Sequence, residues 1–434
     1  HGCKLNQCEG EALAEELEIR GLRVHRGGGW REQKPDLVIV NTCTVTARAD
    51  RKSRNSILRA VRSVSPGGRV IVTGCYAQTD PENLQYIPGV DLVVGGRDKA
   101  NLVRAVAGQP GAGGPYWFSG GGTGSRSRAF LKIQDGCSMR CSYCKVPLAR
   151  GDSVSRDPVE VLAAASDLVR QEYREIVLTG INLGAYPHGG TRLPGLLAAM
   201  LKELPRSFRV RLSSVEPIFF DDPLLELIRV DRRIASHFHI PLQSGSDRIL
   251  KKMRRPYNAE RFLSLVELLR EQRPDCHLAF DVMVGFPGEG REEFEQTVDV
   301  LQRARPASLH VFRYSQREHT DAAAMGDQVP YLEKVRRSRR LIDLGDELNF
   351  RYRSRFRGSV LEGVVERHGE AALCVTGNYI KVELSSGVSP STAGCANAER
   401  GALPRDGDLV AVSLDRVYRS CTAGSVVGLP EVRR

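Results

Sequence analysis

Several features are absent from this sequence of 434 residues. It contains no run of about 18 apolar residues and nothing that resembles a signal peptide, so neither a membrane segment nor a membrane partner is expected. No repeat recurs at solenoid spacing. Its 11 cysteines are too few for a small disulfide scaffold, and an odd number leaves one unpaired. These absences predict a cytoplasmic protein whose thiols work in a reducing compartment.

The composition favours a multidomain globular protein that binds a polyanion. A hydrophobic content of 41% is sufficient for packed cores, and the length predicts two to four domains. The formal net charge is +11. Three runs carry much of the excess: Lys251, Lys252, Arg254 and Arg255; Lys334, Arg336, Arg337, Arg339 and Arg340; and Arg351, Arg353, Arg355 and Arg357. Each run alone fits a solvated helix face equally well, but together they favour phosphate binding.

The first part of the chain, residues 1–107, alternates amphipathic helices with short apolar strands. Strands are predicted at 36–40, 69–73 and 91–94, and a helix containing Leu13 and Leu17 is predicted to end near Gly21. This pattern predicts a doubly wound α/β domain with a parallel sheet. A glycine-rich stretch, residues 108–124, has no periodicity and is predicted to be a linker.

Residues 125–353 repeat a strand and a helix about six times, which predicts a (β/α)6 partial TIM barrel with its active site at the C-terminal edge of the strands. A long basic helix over roughly 331–356 follows. Residues 354–430 contain short β runs separated by glycine turns and are predicted to form a small β-barrel comparable to oligonucleotide-binding barrels. The predicted strands of the part-barrel are 129–133, 175–178, 210–212, 237–240, 278–280 and 309–312.

One short loop carries three thiols, Cys137, Cys141 and Cys144, directly after a predicted strand. Such a loop can wrap three corners of a [4Fe-4S] cluster, and no further Cys or His follows nearby, so one iron stays open. An open iron can chelate the amino and carboxylate groups of S-adenosylmethionine, with Tyr143 beside the adenine ring. The alternatives are a zinc site with a distant fourth ligand and a loop whose cysteines have a purely structural role.

A second set of thiols is spread along the first domain. Cys43 and Cys75 each follow a predicted strand and precede a helix, which places them at one edge of a parallel sheet, and Cys3 also precedes a helix. Three converging thiols could hold a second cluster. By spacing alone, buried cysteines that act as small hydrophobic residues are an equally good interpretation.

The loop from Cys137 to Cys144 and its continuation Lys145-Val-Pro-Leu-Ala-Arg-Gly151 resemble the radical-SAM superfamily, in particular its methylthiotransferase family. The resemblance implies that S-adenosylmethionine lies along the strand ends, and that Cys3, Cys43 and Cys75 hold an auxiliary [4Fe-4S] cluster that carries the sulfur. The glutamate of the superfamily's usual Gly-Gly-Glu turn is absent, so backbone contacts near Gly180 are expected instead of a contact from one side chain. By position, the other residues expected at the cofactor are Asn182, Ser213, Glu216, Gln243 and Gly285.

The motifs Gly2-Cys-Lys-Leu-Asn-Gln7 and Asn41-Thr-Cys-Thr-Val-Thr46 most resemble the branch that acts on N6-threonylcarbamoyladenosine in tRNA, with the isopentenyladenosine branch as competitor. The resemblance implies two rounds of SAM chemistry, one that methylates a sulfur and one that generates a radical at a substrate C–H bond. It also implies an RNA-binding TRAM module at the C-terminus and a flavodoxin- or ferredoxin-like electron donor; the sulfur source is not implied. A non-catalytic iron–sulfur RNA-binding protein is the alternative of another class.

Some positions depart from the family pattern. The strand that normally leads into the first Cys motif is missing, which predicts either an incomplete sheet edge or a truncated sequence, and residues 312–320 lack the prolines and glycine usual after the sixth strand. Five cysteines fit neither triad, and Cys8 is predicted to be a bystander despite its proximity to Cys3. The five are Cys8, Cys276, Cys374, Cys395 and Cys421.

Overall fold

A computed structural model describes residues 3–26, 34–107, 127–368, 371–384 and 404–428. The predicted linker, residues 108–124, lies outside this range. Within it, none of the helices combines the length and the apolar character that crossing a bilayer requires.

The N-terminal unit is a parallel sheet with helices on both faces. Its strands run in the order β1-β2-β3. Val70 and Val72 pack against α2 on one face, while Ile71 packs with α1 and α5 on the other. This alternation confirms the doubly wound prediction. The elements are α1 (Lys4–Ile19), β1 (Leu37–Thr42), α2 (Ala47–Ser63), β2 (Arg69–Gly74), α3 (Cys75–Thr79), α4 (Pro81–Gln85), β3 (Leu92–Gly95) and α5 (Lys99–Ala107).

The central unit is a part-barrel made of two three-stranded parallel sheets. Its elements are β4 (Ala129–Lys132), β5 (Gln134–Asp135), α6 (Val146–Arg150), β6 (Val154–Ser155), α7 (Pro158–Arg170), β7 (Glu175–Thr179), α8 (Leu193–Glu203), β8 (Arg209–Leu212), α9 (Asp222–Val230), β9 (His237–Gln243), α10 (Asp247–Lys252), α11 (Ala259–Gln272), β10 (His277–Val284), α12 (Arg291–Ala304), β11 (Ser308–Arg313), α13 (Asp321–Ala324) and α14 (Tyr331–Ser354). The sheets have the orders β4-β7-β8 and β9-β10-β11, joined by isolated bridges between Val210 and Ile234 and between Ser214 and His239. The predicted six-stranded part-barrel is therefore confirmed.

Strand alternation separates an apolar outer face from a polar interior. On β10, Leu278, Phe280 and Val282 are buried in the main hydrophobic core beneath the helices. Asp281, on the opposite face of the same strand, is half-buried and faces the interior. The side chains that point into this interior, called the lumen below, are those available for chemistry.

The C-terminal unit is a closed five-stranded barrel. Its strands are β12 (Val360–His368), β13 (Ala371–Thr376), β14 (Lys381–Leu384), β15 (Leu409–Val417) and β16 (Thr422–Gly428), in the order β12-β13-β14-β16-β15. Val365, Val382 and Val412 are buried in its core. The predicted small β-barrel is confirmed.

The turn between β13 and β14 closes the floor of the part-barrel, at the N-terminal ends of its strands. Arg211 donates to the carbonyl oxygens of Thr376 and Gly377, each at 3.1 Å. The ring of Tyr379 stacks at 4.3 Å from that of His237. Glu175 pairs with Arg211 beside this turn, and the pair is fully buried. A polar turn of the C-terminal barrel, called the plug below, therefore closes the floor of the part-barrel.

The predicted basic runs are only partly solvent-facing. Arg255, Arg337 and Arg353 are buried. Arg337 donates to Glu289, and Arg353 donates to Thr422 and Cys421 of the C-terminal barrel. The hypothesis that every residue of these runs binds phosphate is therefore wrong for these three arginines. A buried guanidinium that is hydrogen-bonded to other parts of the protein cannot also bind a polyanion. Arg339 and Arg357 are exposed.

Candidate functional site

The loop that carries Cys137, Cys141 and Cys144 is held in shape by its own backbone. Gly136 has φ +67°, and a Cβ there would collide with the carbonyl oxygen of Asp152. The Cys137 amide donates to Gly151 O at 3.0 Å, and the Cys144 amide donates to Cys141 O at 3.1 Å. The three thiols are free and half-buried, and they interact electrostatically with one another. The loop thus gathers three thiols at one point.

Burial favours the neutral form of two thiols in this loop, Cys137 and Cys144. Burial raises the pKa of the Cys137 thiol, and it raises the pKa of Cys144 to about 12. A metal that binds these sulfurs as thiolates must therefore displace protons. Arg255 donates to Cys141 Sγ at 3.2 Å, which places one buried cation beside the sulfurs.

Arg255 is a site residue that the sequence did not reveal, because it lies within one of the basic runs. Besides Cys141, its guanidinium contacts the carboxylate of Glu216 and the hydroxyl of Tyr257. Burial raises the pKa of Glu216, and the adjacent Arg255 opposes that rise. Glu216, which the sequence predicts at the cofactor, is thus held against the cysteine loop by this arginine.

Gln134 connects the cysteine loop to the end of β7. Its amide nitrogen donates to Gly136 O at 2.8 Å, and its carbonyl oxygen accepts from the amides of Ile181 and Asn182 at 2.9 and 2.8 Å. Gly180 lies under this side chain, since a Cβ there would be 2.8 Å from Gln134 Oε1. Gln134 could not be predicted as a site residue, because glutamine is common in strands and loops alike.

Two buried polar atoms at this edge lack a partner. Within the described ranges, Asn182 Oδ1 and Ser213 Oγ make no hydrogen bond although both are shielded from solvent. Asn182 Nδ2 donates to Met139 Sδ at 3.3 Å, so its side chain lies against the cysteine loop. Buried polar atoms without partners are costly, and a polar ligand between the strand ends and the loop would satisfy both. The residues present therefore fit a bound polar cofactor.

The remaining cofactor predictions lie along the same edge. The Tyr143 ring packs edge-on against Phe286 with ring centroids 6.4 Å apart, and burial raises its pKa well above the usual range. Gln243 ends β9 with φ +64°, and Gly285 follows β10 with φ +74° and donates to Glu289 Oε1 at 2.9 Å. Asn182 contacts the cysteine loop directly, whereas Gly180 lies against Gln134 and Glu216 pairs with Arg255. Strand position alone puts Ser213, Gln243 and Gly285 at this edge.

The second triad is assembled by the register of the N-terminal sheet. Thr42 and Gly74 are paired at the ends of β1 and β2, so the next residues, Cys43 and Cys75, are neighbours. Gly74 has φ +99°, and a Cβ there would collide with the carbonyl oxygen of Thr42. Cys3 is the N-cap of α1 and interacts electrostatically with both thiols. The structure therefore brings the three together.

Hydrogen bonds fix the start of α1 against β1. Asn6 Nδ2 donates to Thr42 O at 3.3 Å, and Asn41 Nδ2 donates to Asn6 O at 2.7 Å. These asparagines belong to the motifs around Cys3 and Cys43, so the motif residues dock the first cysteine beside the second. Burial raises the pKa of Cys43 and Cys75, as it does at the other triad.

A buried cluster of charges, called the Glu9 network, joins the two domains beside the second triad. Glu9 of α1 accepts from Lys132 at 2.7 Å and from Arg150 at 2.9 Å, and it also pairs with Lys99. Asp135 accepts from Lys132 at 2.6 Å and from Arg150 at 3.0 Å. The network therefore contains three cations and two carboxylates, four of them nearly inaccessible to solvent.

The network keeps its carboxylates ionised and brings positive charge near the thiols. Burial would raise the pKa of Glu9, but Arg150, Lys132 and Lys99 lower it well below its usual range. Arg150 also interacts with Cys75 and Cys43. Because Arg150 follows the first cysteine loop, one side chain of the part-barrel acts electrostatically on the sulfurs of the N-terminal unit.

The loop after β11 packs on the N-terminal unit. Arg317 Nη2 donates to Thr44 Oγ1 at 2.8 Å and to Asp50 Oδ2 at 2.6 Å, and the Ala47 amide donates to Ser315 Oγ at 3.2 Å. Residues 312–320, which depart from the family pattern, thus contact the N-terminal unit beside Cys43. The sequence could not predict this contact.

Of the cysteines outside the triads, Cys395 lies outside the described residues. Cys8 is buried in α1, where its thiol donates to Phe130 O at 3.6 Å. Burial raises the pKa of Cys276 and Cys374 to about 12. The role of Cys8 as a bystander stays a prediction.

Two family models match the chain. One, described as the Radical SAM superfamily, matches residues 131–301, and one described as Uncharacterized protein family UPF0004 matches residues 1–95. The chain is also similar to solved radical-SAM enzymes: the methyltransferase TsrM from Kitasatospora setae superposes with a TM-score of 0.54 at 18% identity, covering 72% of this chain and 73% of that one. At that identity the likeness concerns the fold alone.

Curated relatives are similar over most of their length. The threonylcarbamoyladenosine tRNA methylthiotransferase MtaB of Bacillus subtilis is 39% identical over 404 residues, which is 88% of each chain. The tRNA-2-methylthio-N(6)-dimethylallyladenosine synthase of Protochlamydia amoebophila is 33% identical, covering 85% of this chain and 84% of the relative.

Proposed function

Since the chain belongs to the radical-SAM methylthiotransferase family, we propose that it adds a methylthio group to C2 of N6-threonylcarbamoyladenosine beside the anticodon of tRNA. The observation that carries the proposal is the presence of two thiol triads, the second of them beside Arg150 of the part-barrel, in a chain that is 39% identical to a relative named for this substrate. The 33% identity to a relative named for the dimethylallyl nucleoside makes that substrate the second candidate.

Cys137, Cys141 and Cys144 would hold one [4Fe-4S] cluster, which supplies the electron for reductive cleavage of S-adenosylmethionine. Their free thiols and the absence of a fourth cysteine from the described loop fit such a group. Arg255 contacts both Glu216 and Cys141 and so fixes their relative positions. Its positive charge would offset the negative charge of the thiolates. Asn182 Oδ1 would accept a hydrogen bond from the cofactor, and the Ser213 hydroxyl would donate or accept one.

Cys3, Cys43 and Cys75 would hold the auxiliary cluster, the carrier of the sulfur. The N-terminal sheet positions two of these thiols by register, and the Glu9 network lies between this triad and the part-barrel. Arg150 supplies positive charge near the thiolates, which lowers the cost of gathering them in a buried site. One substrate would have to reach both sites, and we expect it to do so from the interface of the two units.

The C-terminal barrel and α14 would bind the tRNA. Arg353 of α14 is tied to this barrel by hydrogen bonds, so the exposed arginines of the helix, including Arg339, keep a fixed position relative to it. The net charge of +11 supports binding of a polyanion. A flavodoxin- or ferredoxin-like protein would supply electrons.

The substrate is tested by comparing tRNA nucleosides by mass spectrometry in cells with and without the gene. We expect the threonylcarbamoyl nucleoside to lose its methylthio group when the gene is deleted. Loss of methylthiolation from the dimethylallyl nucleoside instead would transfer the assignment to the second candidate.

The clusters are tested on anaerobically reconstituted protein. About eight irons per chain are expected for two cubanes, and about four in Cys43→Ala. Cys141→Ala should no longer convert S-adenosylmethionine into 5′-deoxyadenosine, whereas Cys421→Ala, a half-buried cysteine outside both triads, serves as the matched control. An intact protein that fails to cleave S-adenosylmethionine would favour the non-catalytic alternative.

A further inference from the structure

Three polar side chains on neighbouring strands meet on the wall of the lumen. They are His239 on β9, Asp281 on β10 and His310 on β11. Their strand neighbours Ile240 and Phe280 point the other way, into the hydrophobic core, and Leu309 packs toward α14. This trio, called the His–Asp–His cluster below, has no part in either thiol site.

The cluster is organised around one carboxylate oxygen. His239 Nε2 lies 2.8 Å and His310 Nδ1 lies 3.0 Å from Asp281 Oδ1, and the two rings are nearly perpendicular with centroids 5.0 Å apart. Burial would raise the pKa of Asp281, but the hydrogen bonds from the two histidines hold it below its usual range. Asp281 is therefore an ionised acceptor that fixes both ring orientations.

One nitrogen of each ring faces Asp281, which leaves His239 Nδ1 and His310 Nε2 available to a ligand. The His310 side chain is 50% exposed, although it points into the lumen rather than to the outer surface. Phe312, two residues further on the same strand, is also exposed. Exposed side chains on an inward face border a space that a ligand can enter.

The cluster lies between the plugged floor and the cysteine loop. Below it, His237 and His277 are buried against Tyr379. Above it, the Val215 amide donates to His239 O at 3.0 Å, and Asp281 interacts electrostatically with Glu216, the partner of Arg255. A group that reaches down the lumen from the cysteine loop therefore meets His239, Asp281 and His310 before the floor.

The two candidate nucleosides differ in the group attached to N6. A threonylcarbamoyl group presents a carboxylate, a hydroxyl and amide groups, whereas a dimethylallyl group is a hydrocarbon with no hydrogen-bonding atom. Covering the His–Asp–His cluster with an apolar group would remove water from three polar side chains without replacing its hydrogen bonds. A site built to hydrogen-bond its substrate rejects an analogue that lacks the polar atoms.

We infer that His239, Asp281 and His310 bind the polar N6 side chain of the substrate adenosine and discriminate against the dimethylallyl group. The inference rests on the proposed function. The two imidazoles contact the substrate, and Asp281 positions them. Two histidines and a carboxylate are also a possible metal-ligand set; however, hydrogen bonds between the three side chains already account for their spacing without an ion.

The experiment compares wild-type protein with His310→Leu and His310→Gln. His188→Leu is the matched control, because His188 also pairs with a carboxylate, Asp157, but lies on the loop between β7 and α8 rather than on a barrel strand. The readouts are kcat/KM with each of the two modified tRNAs, and the Kd of the free threonylcarbamoyl nucleoside for protein without S-adenosylmethionine. Thermal unfolding verifies that each variant is folded, and iron content verifies that it carries its iron–sulfur clusters.

For His310→Leu we expect kcat/KM with threonylcarbamoyl tRNA to fall roughly tenfold or more relative to dimethylallyl tRNA, mainly through KM, with weaker nucleoside binding. His310→Gln, which keeps a polar group, should recover part of the loss. The inference would be overturned, and the proposed function left intact, by two results together in both folded variants. These are an unchanged ratio of kcat/KM between the two tRNAs and an unchanged Kd for the threonylcarbamoyl nucleoside. Wild-type activity on dimethylallyl tRNA alone would overturn the proposed function itself. A tightly bound Zn²⁺ or Fe²⁺ beyond the clusters, absent from His310→Leu, would overturn the inference in favour of a metal site.

Discussion

The two thiol triads are built in opposite ways. Cys137, Cys141 and Cys144 lie on one loop and are positioned by neighbouring backbone, whereas Cys3, Cys43 and Cys75 come from three segments and depend on sheet register. A local site needs only its loop to fold; a distributed site needs the whole domain. The first triad should therefore tolerate damage elsewhere in the chain better than the second.

The surroundings of the triads differ as well. One buried cation, Arg255, contacts a sulfur of the loop triad. The sheet triad instead borders the Glu9 network, in which several charges are held between the domains. A buried network stabilises a structure only while all its members are present, so the distributed site is expected to be the more sensitive to single substitutions.

The largest expected effects come from the glycine at each triad. Gly136→Ala should abolish the loop site and Gly74→Ala the sheet site, because both positions have positive φ and a Cβ at either would collide with a carbonyl oxygen. Iron per chain should fall to about half in each, and only Gly136→Ala should lose 5′-deoxyadenosine formation. Gly67→Ala is the control, since its φ is +80° but its Cβ would meet open space. Full iron content in Gly74→Ala would contradict the importance of register.

The next prediction concerns the Glu9 network. Arg150→Met should destabilise the N-terminal unit by about 3–5 kcal/mol, because it removes one partner from buried carboxylates. Hydrogen exchange of the β2 amides measures this local free energy of opening. Arg340→Ala, which breaks an exposed pair with Glu295, should change the exchange little. Equal exchange in the two variants would mean that the network does not couple the domains.

The smallest expected effect is on pH dependence. The pKa of Glu9 is lower in the folded chain than its ordinary value of 4.5, so ionised Glu9 contributes stability above about pH 4.5 that is lost as the pH falls toward its folded pKa. Glu9→Gln should therefore be less stable than wild type at neutral pH and lose less stability between pH 5 and 3. The measurement is β2 amide exchange over that range, and parallel pH curves for the two proteins would contradict the assignment.

Much of the fold could be predicted from sequence because its signals are local. Apolar runs such as 69–73 predict strands, and the predicted long helix over 331–356 is observed as Tyr331–Ser354. The spacing from Cys137 to Cys144 is equally local. The domain boundaries, including the end of the first unit at residue 107, stay predictions.

The features that sequence missed depend on distant pairs. Arg150 and Glu9 are 141 residues apart, and nothing in either segment signals the other. Arg255 belongs to a basic run that the sequence predicts to bind phosphate, yet it contacts Cys141, 114 residues away. A weak signal did exist for the His–Asp–His cluster: a polar residue at alternate positions of otherwise apolar strands indicates an inward-facing group.

The plug at the floor of the part-barrel makes the C-terminal barrel more than an appended module. Removing it would expose Arg211 and Glu175 at the base of the strands and leave the guanidinium without two carbonyl acceptors. Truncation at the domain boundary is therefore a poor way to obtain an isolated catalytic unit. Because the plug holds the two barrels at a set distance, it also sets the distance between the surface proposed to bind RNA and the lumen proposed to receive the base.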